Sequence, residues 1–406
     1  MVRVQLFNVA GNFLELELEP DSRIRDLKSE VARKWQVPVE FQRVLCGTEV
    51  QRNADRIPAR CSDGNALSLT LVITLDEVHR LLQSESDFRR QMGVQKLGTM
   101  GRNFGIAPIA VLIACLEDQN EHVRRLALKS LTSVCEPGDH AVLDSVAGVL
   151  DDPSIAVRCA ALETLASMAQ QGDQDILALV ANALTDCDWR VRCAALGALS
   201  GIAEQGDTVA LASVVGCFHD PIWHVRCATA VAVASIGEDG DAPAIGALLE
   251  NLDDADFNVR CSVVQALVVL GKHDEMAVSK VVDCLKDAEW FVKNVVVEAL
   301  PDMVMQGDAT AISAVMEHTA GTDGDTRSAA LQALARITEN GNPAVVAQTL
   351  QCLQDADANV RCAALRAIGR VARKGDAPVI AAVSEHLEDP DFSVRRPAAE
   401  ALRALC

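Results

Sequence analysis

Apolar and polar residues alternate along the first part of the chain, and the alternation then changes to a helical spacing. VRVQLF (2–7) and FLELEL (13–18) alternate in the manner of strands, and ALSLTLVI does so again further on. Between these stretches, apolar side chains recur at helical spacing from Ile24 to Trp35. The pattern predicts two strands, one helix and then more strands within residues 1–73.

A second pattern begins near residue 118 and continues to the end of the chain. A basic residue, preceded by valine in all units but one, recurs from Arg124 to Arg395 at a spacing of 34 residues, once 33. An Asp stands six positions before the basic residue in every unit except one, where Gly321 replaces it. This regularity indicates an internal repeat.

Each unit also contains Gly-Asp or a close equivalent, as in Gly206-Asp207. Glycine suits the left-handed end of one helix, and Asp suits the N-cap of the next. The segments between these marks have helical periodicity, so each unit is predicted to be a helical hairpin that buries its apolar faces by stacking on its neighbours. The chain is therefore predicted to be mainly α: a right-handed α-solenoid of nine hairpins at 106–406, after a degenerate capping repeat or connector at 74–105.

The motif Leu-x-Asp followed by Val-Arg and an Ala-rich helix, as in LTDCDWRVRCAALGAL, resembles the short form of HEAT repeats, in the style of the phycobilisome lyases. Tetratricopeptide repeats have a similar period but require tyrosine, and this chain has none. The resemblance implies that the Asp and Arg columns join neighbouring units and are structural.

Residues 1–73 resemble ubiquitin, which implies a small α+β domain of the β-grasp fold. The resemblance depends on the motifs Glu19-Pro20, Gln42-Arg43 and Gly47 and on the leucines of the last strand, and the Gly-Gly tail used for conjugation does not follow that strand. The apolar recognition patch of ubiquitin corresponds to four positions, of which two are apolar here: Val9, Leu45, Ser68 and Thr70. We expect either docking to ubiquitin receptors or a folded module that has lost this patch.

The acidic residues are concentrated after residue 73. The chain has a net charge of −20, and 1–73 contributes none of it. An acidic surface disfavours nucleic acid and favours a basic or neutral protein partner. The longest uncharged apolar stretch is too short to cross a membrane. The cysteines are expected to be free thiols in a reducing compartment, the cytoplasm or alternatively the nucleus.

A cysteine recurs directly after the repeat arginine in several units. A helical wheel through VRCAALETLASM places Cys159 opposite the face that contains Val157 and Leu165, so this column is predicted to lie outside the hairpin core. Stacked helices keep such cysteines too far apart for a disulfide or a zinc ion. The predicted groove floor, which either binds a partner or permits tight curvature, consists of Cys193, Gly197, Cys227, Val231, Cys261 and Gln265.

Aromatic residues form another column, two residues before the repeat valine. They lie in the first turn of the second helix of each hairpin, and the principal members are Trp189, Trp223, Phe257 and Trp290. One hypothesis is that these rings anchor a partner at the rim of the groove. The alternative is that each ring covers the turn of the preceding unit and seals the core.

Two regions depart from the repeat. The unit at 308–340 lacks the column Asp and follows Pro301, which lies inside a predicted helix, so we expect a bend there. At the end of the chain, Leu402 and Leu405 are predicted to be uncapped apolar residues. We expect either that the last repeat pairs with another molecule through them or that the sequence is truncated there.

The sequence favours a binding protein over an enzyme. The His-Glu pairs of deoxyhypusine hydroxylases, the phosphate loops and the nucleophile elbows are missing, and nothing indicates a cofactor. The predicted function is a non-catalytic scaffold or adaptor whose groove binds a protein or peptide, with the ubiquitin-like domain as a second docking module in the ubiquitin-proteasome pathway. The alternative is a lyase or chaperone that acts on a cofactor-bearing protein.

Overall fold

The computed structural model describes residues 2–8, 13–19, 21–35, 37–57, 67–100 and 106–406. Contacts between residues divide the chain into two compact units, Met1–Ala183 and Leu184–Cys406. This division falls within the predicted repeat region, and the boundaries at residues 73 and 105 stay predictions.

The first unit begins with a five-stranded sheet and one helix. These elements are β1 (Val2–Asn8), β2 (Phe13–Leu18), α1 (Ile24–Trp35), β3 (Gln42–Cys46), β4 (Glu49–Gln51) and β5 (Leu67–Ile73). The strand order is β2-β1-β5-β3-β4, in which β1 and β5 are parallel and the other neighbours are antiparallel. The predicted succession of strands and helix is confirmed, and the domain has the β-grasp arrangement.

The small domain has its own apolar core. Leu6 and Leu69 on adjacent strands and Leu27 of α1 are buried, as the alternating and helical patterns require. The buried side-chain amide of Gln42 donates to the carbonyl oxygens of Lys28 and Val37, at 2.9 and 2.7 Å. Since these two bonds join the start of β3 to α1 and to the segment that follows it, they fix the helix relative to the sheet.

Seven further helices complete the first unit. They are α2 (Asp76–Leu82), α3 (Asp87–Gly98), α4 (Ile106–Ala114), α5 (Glu121–Val134), α6 (His140–Ala147), α7 (Ile155–Met168) and α8 (Gln174–Asn182). Two ion pairs join the sheet domain to these helices: Arg43 lies 2.5 Å from Asp76 of α2, and Lys96 of α3 lies 3.7 Å from Glu40. Lys96 also pairs with Glu77 of α2 at 3.0 Å. These pairs hold the sheet domain against α2 and α3.

The second unit consists of helices only. They are α9 (Trp189–Ile202), α10 (Thr208–Val215), α11 (Trp223–Ile236), α12 (Ala242–Leu249), α13 (Phe257–Leu270), α14 (Glu275–Asp283), α15 (Trp290–Met303), α16 (Ala309–His318), α17 (Gly324–Ile337), α18 (Pro343–Cys352), α19 (Ala358–Val371), α20 (Ala377–Glu385) and α21 (Phe392–Leu405). The odd-numbered helices, called second helices here, pack side by side in chain order, and the even-numbered first helices pack against them. This arrangement is a HEAT-type α-solenoid.

Capping residues explain where these helices begin. The side chain of Asp207 accepts hydrogen bonds from the backbone N–H groups of Val209 and Ala210 at the start of α10. Asp188 accepts from the backbone N–H of Arg190 at the start of α9. An N-cap of this kind satisfies N–H groups that have no partner within the helix, which is why Asp recurs at both positions of the repeat.

Within each unit, a residue with positive φ joins one hairpin to the next through a backbone hydrogen bond. Gly206 has φ +81°, and its N–H donates to the carbonyl oxygen of Ile236, the last residue of α11, at 2.6 Å. Six equivalent bonds follow the same geometry elsewhere in the two units. At one of them, His273 has the left-handed conformation, with φ +62°, and its backbone N–H donates to the carbonyl oxygen of Met303. The Gly-Asp motif therefore links repeats as well as ending helices.

The repeat arginines and aspartates form a ladder of ion pairs. The guanidinium group of Arg226 donates to both carboxylate oxygens of Asp254, each at 2.7 Å, and also to the carbonyl oxygen of Asp220 at 2.9 Å. Equivalent pairs are Arg90–Asp118 and Arg124–Asp152 in the first unit, and Arg192–Asp220, Arg260–Asp287, Arg327–Asp355 and Arg361–Asp389 in the second. The prediction that these columns join neighbouring repeats is confirmed.

In the irregular unit at 308–340, a different ion pair replaces the usual pair of the ladder. Gly321 occupies the Asp position, and the buried Lys293 of α15 instead pairs with Asp323, the N-cap of α17. Arg327 still donates to the carbonyl oxygen of Gly321 at 2.9 Å. In this unit the carboxylate of the pair therefore stands at position 323 and not at 321. Pro301 lies two residues before the end of α15, which runs through it without a break.

Candidate functional site

The two sides of each second helix have different environments. In α7, Val157 and Leu165 are fully buried, whereas Cys159 is half-buried and Glu163 is exposed. The predicted division of this helix into a core face and an outer face is confirmed. The outer faces of consecutive second helices form grooves, one of which is lined by the predicted floor residues Cys261 and Gln265.

The recurring cysteines of the second helices are half-buried or buried thiols. Cys193, Cys227 and Cys261 are half-buried, and burial raises the pKa of Cys227 and of Cys261 above the ordinary thiol value. Cys362 is buried, and its thiol donates to the carbonyl oxygen of Ser393 at 3.5 Å. A protonated thiol is a poor nucleophile and a poor metal ligand. Cys227 and Cys261 therefore serve as small groups on the groove surface.

Cysteine pairs and metal clusters are missing from the part of the chain that the structure describes. None of the described cysteines forms a disulfide, and no group of three or more His, Cys, Asp or Glu side chains among the described residues could hold a metal ion. No helix in the described ranges is long and apolar enough to cross a membrane.

The other predicted floor residues are open to solvent. Gly197 is exposed, and a Cβ atom built there would have no neighbour within 4 Å. Val231 is 59% exposed, and Gln265 is also exposed. The structure therefore leaves space above this face, and whether a partner occupies it stays a prediction.

The groove between α13 and α15, called the aromatic groove here, has a volume of about 500 Å³. Cys261 and Gln265, both predicted floor residues, line it together with Phe257 and Phe291. The remaining lining residues are Asn258, Val268, Asn294, Val295, Glu298, Ala299 and Asp302. The groove therefore combines apolar rings, carboxamide groups that can bond to a peptide backbone, and carboxylates.

Aromatic rings connect neighbouring repeats at the rim of this face. The ring of Phe257 stacks on that of Phe291 in the next second helix, with centroids 5.9 Å apart and planes at 25°. In the same way Trp189 stacks on His224 at 4.6 Å, and His224 also stacks on Trp223 at 3.6 Å. The rings thus contact the following repeat, whereas the sealing hypothesis placed them over the preceding turn.

Two adjacent rings of α15 remain largely in solvent. Trp290 is 53% exposed and Phe291 is 58% exposed, and their rings meet edge to face at 5.6 Å. Trp189, Trp223 and Phe257 are half-buried. Large exposed rings on a folded surface are typical of contact sites. Trp290 and Phe291 are therefore candidate anchors for a partner.

A second groove, called the arginine groove here, lies between α17, α19 and α21 and has a volume of about 410 Å³. Arg336 of α17 and both Arg366 and Arg370 of α19 line it, opposite Glu400 of α21. Its floor is made of small side chains, as at Gly369. This local concentration of positive charge contrasts with the net charge of −20 of the chain.

The first unit has a groove of the same kind between α5 and α7, with a volume of about 640 Å³. Arg125, Lys129, Cys159 and Glu163 are among its lining residues. Because a carboxylate accompanies the basic groups, the charge of this groove is mixed.

Three positions of the ubiquitin-like patch lie on the outer face of the sheet. Leu45 of β3 is the register partner of Thr70 of β5, and Ser68 lies two residues before Thr70 on the same face. Leu45 and Thr70 are half-buried and Ser68 is exposed, whereas Val9 lies outside the described residues. The structure thus brings three of the four positions together.

The same outer face carries apolar residues that the sequence did not single out. Phe7 is the register partner of Thr70, and Val50 is the register partner of Leu45. Both Phe7 and Val50 are exposed. A row of residues across β1, β5, β3 and β4 therefore presents three apolar side chains.

The prediction about the end of the chain is wrong for Leu405. This residue is fully buried in α21 and Leu402 is half-buried, because the last hairpin folds them inward. The carbonyl oxygen of Leu405 also accepts the N–H of Gly375, at 2.8 Å. The two leucines do not form an exposed face for self-association.

Sequence reasoning missed Phe291, His224 and the arginine groove. Phe291 and His224 each follow the column aromatic by one position, so a search for aromatics next to the column could have found them. Arg366 and Arg370 are four residues apart in α19, a spacing that places them on one helix face. That spacing was the available signal for a local basic surface.

The repeat region matches known proteins in sequence and in fold. The family described as HEAT repeats matches residues 143–232, 245–335 and 312–403, more than half of the chain. No curated protein matches the whole sequence closely enough to be called a relative.

Solved structures of karyopherins share this fold. Kap121p bound to Ste12p matches with a TM-score of 0.64 and 13% identity, over 82% of this chain and 41% of that chain. Kap121p bound to Pho4p gives 0.63 and 14%, over 81% and 41%, and importin beta in an ammonium sulfate condition gives 0.51 and 16%, over 81% and 50%. The chain thus spans half or less of these proteins, and identities this low show the fold alone.

Proposed function

Because the chain belongs to the family of HEAT-repeat proteins, we propose that it is a non-catalytic scaffold whose aromatic groove binds a protein or peptide partner. The observation that carries this proposal is the pair of exposed rings, Trp290 and Phe291, beside an open groove of about 500 Å³. Aromatic residues at the centre of an interface commonly supply much of the binding free energy.

The groove has the chemistry that an extended peptide requires. The rings of Phe257 and Phe291 offer apolar contact to a side chain, and the carboxamide groups of Asn258 and Asn294 also line the groove. Such groups can donate to and accept from a peptide backbone. The solved structures of Kap121p with Pho4p and with Ste12p support protein binding by a solenoid of this fold.

The partner of the aromatic groove is proposed to be basic or neutral. Asp302 and Glu298 both line the groove and contribute carboxylates to it. The net charge of −20 of the whole chain also favours a basic or neutral partner. Positively charged or uncharged segments would therefore approach this part of the surface without electrostatic penalty.

The β-grasp domain is proposed to be a ubiquitin-like second docking module, connected with the ubiquitin-proteasome pathway. Its support is the row of exposed or half-buried residues on the outer face, in which Phe7 and Val50 add apolar area beside Leu45. Linking two modules in one chain raises the effective concentration of the second binding event. The compartment proposed for this role is the cytoplasm, with the nucleus as the alternative.

The lyase alternative requires a reactive side chain in the groove. The thiol of Cys261 is the reactive side chain there, and burial raises its pKa, so that it is protonated at neutral pH. This state favours the scaffold.

Affinity capture with matched variants tests the proposal. The full chain would be compared with the double variant Trp290→Ala and Phe291→Ala, and with the control Val209→Ala and Met276→Ala, which removes exposed apolar side chains from the first helices α10 and α14. We expect loss of the captured partner with the α15 variant and retention with the control. Equal capture by all three proteins would contradict the proposal.

A further inference from the structure

The arginine groove contains two guanidinium groups with no carboxylate at ion-pair distance. Each repeat arginine of the ladder described above bonds to an Asp, and Arg336 donates to both carboxylate oxygens of Glu298 at 2.7 and 2.6 Å. Arg366 and Arg370 are exposed, and within the described residues neither forms an ion pair or a hydrogen bond through its side chain. They are the free basic groups of this groove.

The nearest acidic group is already engaged. Glu400, on the opposite wall, accepts a hydrogen bond from Arg396 at 2.8 Å. Arg396 lowers the pKa of Glu400, with smaller contributions from Arg366 and Arg403. The charge of Glu400 is thus shared among several arginines, and the groove keeps an excess of positive charge.

The arrangement of Arg366 and Arg370 suits a pair of carboxylates on one ligand. The two residues are four positions apart on α19, so their side chains project from the same face one turn apart. Like charges at this spacing repel each other, and an acidic ligand would remove that repulsion. A guanidinium group also offers a planar fork of donors that matches a carboxylate.

We propose that the arginine groove binds an acidic segment of a protein partner, with Asp or Glu side chains paired to Arg366 and Arg370. This inference rests on the scaffold function proposed above. It adds a second contact that prefers acidic ligands, whereas the aromatic groove prefers basic or neutral ones. The ion pair between Arg336 and Glu298 lies between this groove and the aromatic groove, so one extended partner could contact both.

The shape of the groove favours a polypeptide over a nucleic acid. Its floor is built of Ala335, Ala367 and Ala401, and a Cβ atom on Gly369 would lie 3.3 Å from the backbone of α21. Small side chains let a peptide backbone approach closely, and the amide of Gln332 at the edge can bond to it. A nucleic acid requires a longer basic stripe, and the net charge of −20 opposes it.

Fluorescence anisotropy with the full chain tests the inference. The probes are a labelled peptide of alternating Glu and Ala and a matched peptide of alternating Gln and Ala. The variant is Arg366→Glu with Arg370→Glu, and the control is Lys272→Glu with Lys374→Glu, which changes the net charge equally at exposed turn positions. Both substituted pairs are exposed, so thermal unfolding is expected to show that both variants fold.

We expect the Glu peptide to bind the unaltered chain, and added salt to weaken this binding. The groove variant should lose roughly tenfold in affinity, because two exposed attractive pairs become repulsive, and the control should lose less than about twofold. A peptide of alternating Lys and Ala should bind the groove variant better than it binds the unaltered chain.

Three outcomes would overturn the inference: equal binding of the Glu and Gln peptides, equal losses in the variant and the control, or binding of a phosphorylated peptide or a single-stranded nucleic acid without binding of the Glu peptide. The scaffold function is tested separately. If the partner captured through Trp290 and Phe291 still binds the groove variant with full affinity, the scaffold stands and the acidic contact fails.

Discussion

Each second helix has a turn side, where the ladder arginines lie, and a groove side, which faces solvent. The residues of the turn side repeat more regularly than those of the groove side. On the turn side, Arg226, Arg260 and their equivalents repeat one geometry with an Asp of the next hairpin. On the groove side, corresponding positions change from Cys261 in α13 to Asn294 in α15. Regularity is required where each repeat joins the next, whereas variation is permitted where a helix faces solvent or a partner.

The two sides also differ in their energetics. The side chains of Arg226 and Asp254 are only 14% and 8% exposed, so both charges depend on each other for stabilisation. The rings of Trp290 and Phe291 are more than half exposed, so folding gains little from them. Substitutions on the turn side should therefore change stability, and substitutions on the groove side should change binding.

Acid should have the largest effect on the turn side, because it acts on many ladder pairs at once. Hydrogen bonds from Arg327 lower the pKa of Asp355 below its ordinary value of 3.8, and Lys293 and Arg361 lower the pKa of Asp323 and of Asp389. These carboxylates stabilise the folded state fully above about pH 5, and that stabilisation is lost as the pH falls below the unfolded value.

Urea unfolding measured between about pH 5.5 and pH 3 checks this expectation. The midpoint should fall as the pH decreases. A midpoint that stays constant over this range would show that the ladder carboxylates contribute nothing to stability.

Removing one ladder residue should have the next largest effect. Arg226→Met should lower the free energy of unfolding of the second unit by about 3 kcal/mol, because the carboxylate of Asp254 is left buried without its partner. The control is Arg190→Met, since Arg190 pairs with Asp188 within its own turn and is 55% exposed. Exposed pairs contribute less than about 1 kcal/mol. Equal effects of the two substitutions in urea unfolding would contradict the structural role of the ladder.

The left-handed turn residues should have a smaller effect. Gly240→Ala should cost about 1–2 kcal/mol through backbone strain alone, because a Cβ atom there meets nothing within 4 Å. The converse substitution, His273→Gly, should stabilise the protein by about 0.5 kcal/mol, because relief of strain exceeds the added entropy of the unfolded chain. Thermal unfolding of both variants checks the signs. A stabilising Gly240→Ala would contradict the conformation assigned to this turn.

Substitution on the groove side should have the smallest effect on stability. Phe291→Ala should change the free energy of unfolding by less than about 0.5 kcal/mol, because the ring is exposed. Val292→Ala, one residue later and fully buried, should cost roughly 2 kcal/mol. Acrylamide quenching adds an independent measurement, since Trp290→Phe should remove the most accessible part of the tryptophan emission. Strong destabilisation by Phe291→Ala would assign this ring to the core.

The fold was predictable from the sequence to a large extent. The recurrence of Arg and Asp indicated both the hairpin and its interlocking partner, and Arg192 does bond to Asp220, 28 residues later. The alternation of Leu67, Leu69 and Leu71 with polar residues indicated which face of the last strand is buried. Such patterns are readable because burial alternates with a fixed period in strands and helices.

The candidate site was predictable only in part. The helical-wheel analysis predicted that Cys261 and Gln265 lie on the outer face of their helix, and both line the aromatic groove. The stacking of Trp189 on His224 and the lack of an ion pair at Arg366 could not be predicted from sequence. These features depend on side-chain conformations and on the spacing of helices from different repeats.

The sequence by itself determined the repeating elements, their caps and the pairs that join them, because those features arise from local periodicity and from contacts repeated at a constant offset. Only the tertiary structure decided that Leu405 is buried, that Trp290 and Phe291 stay exposed, and that Arg366 and Arg370 lack carboxylate partners within the described residues. The physical reason is that exposure and charge pairing depend on every neighbour packed around a side chain, and these neighbours come from helices far apart in the chain.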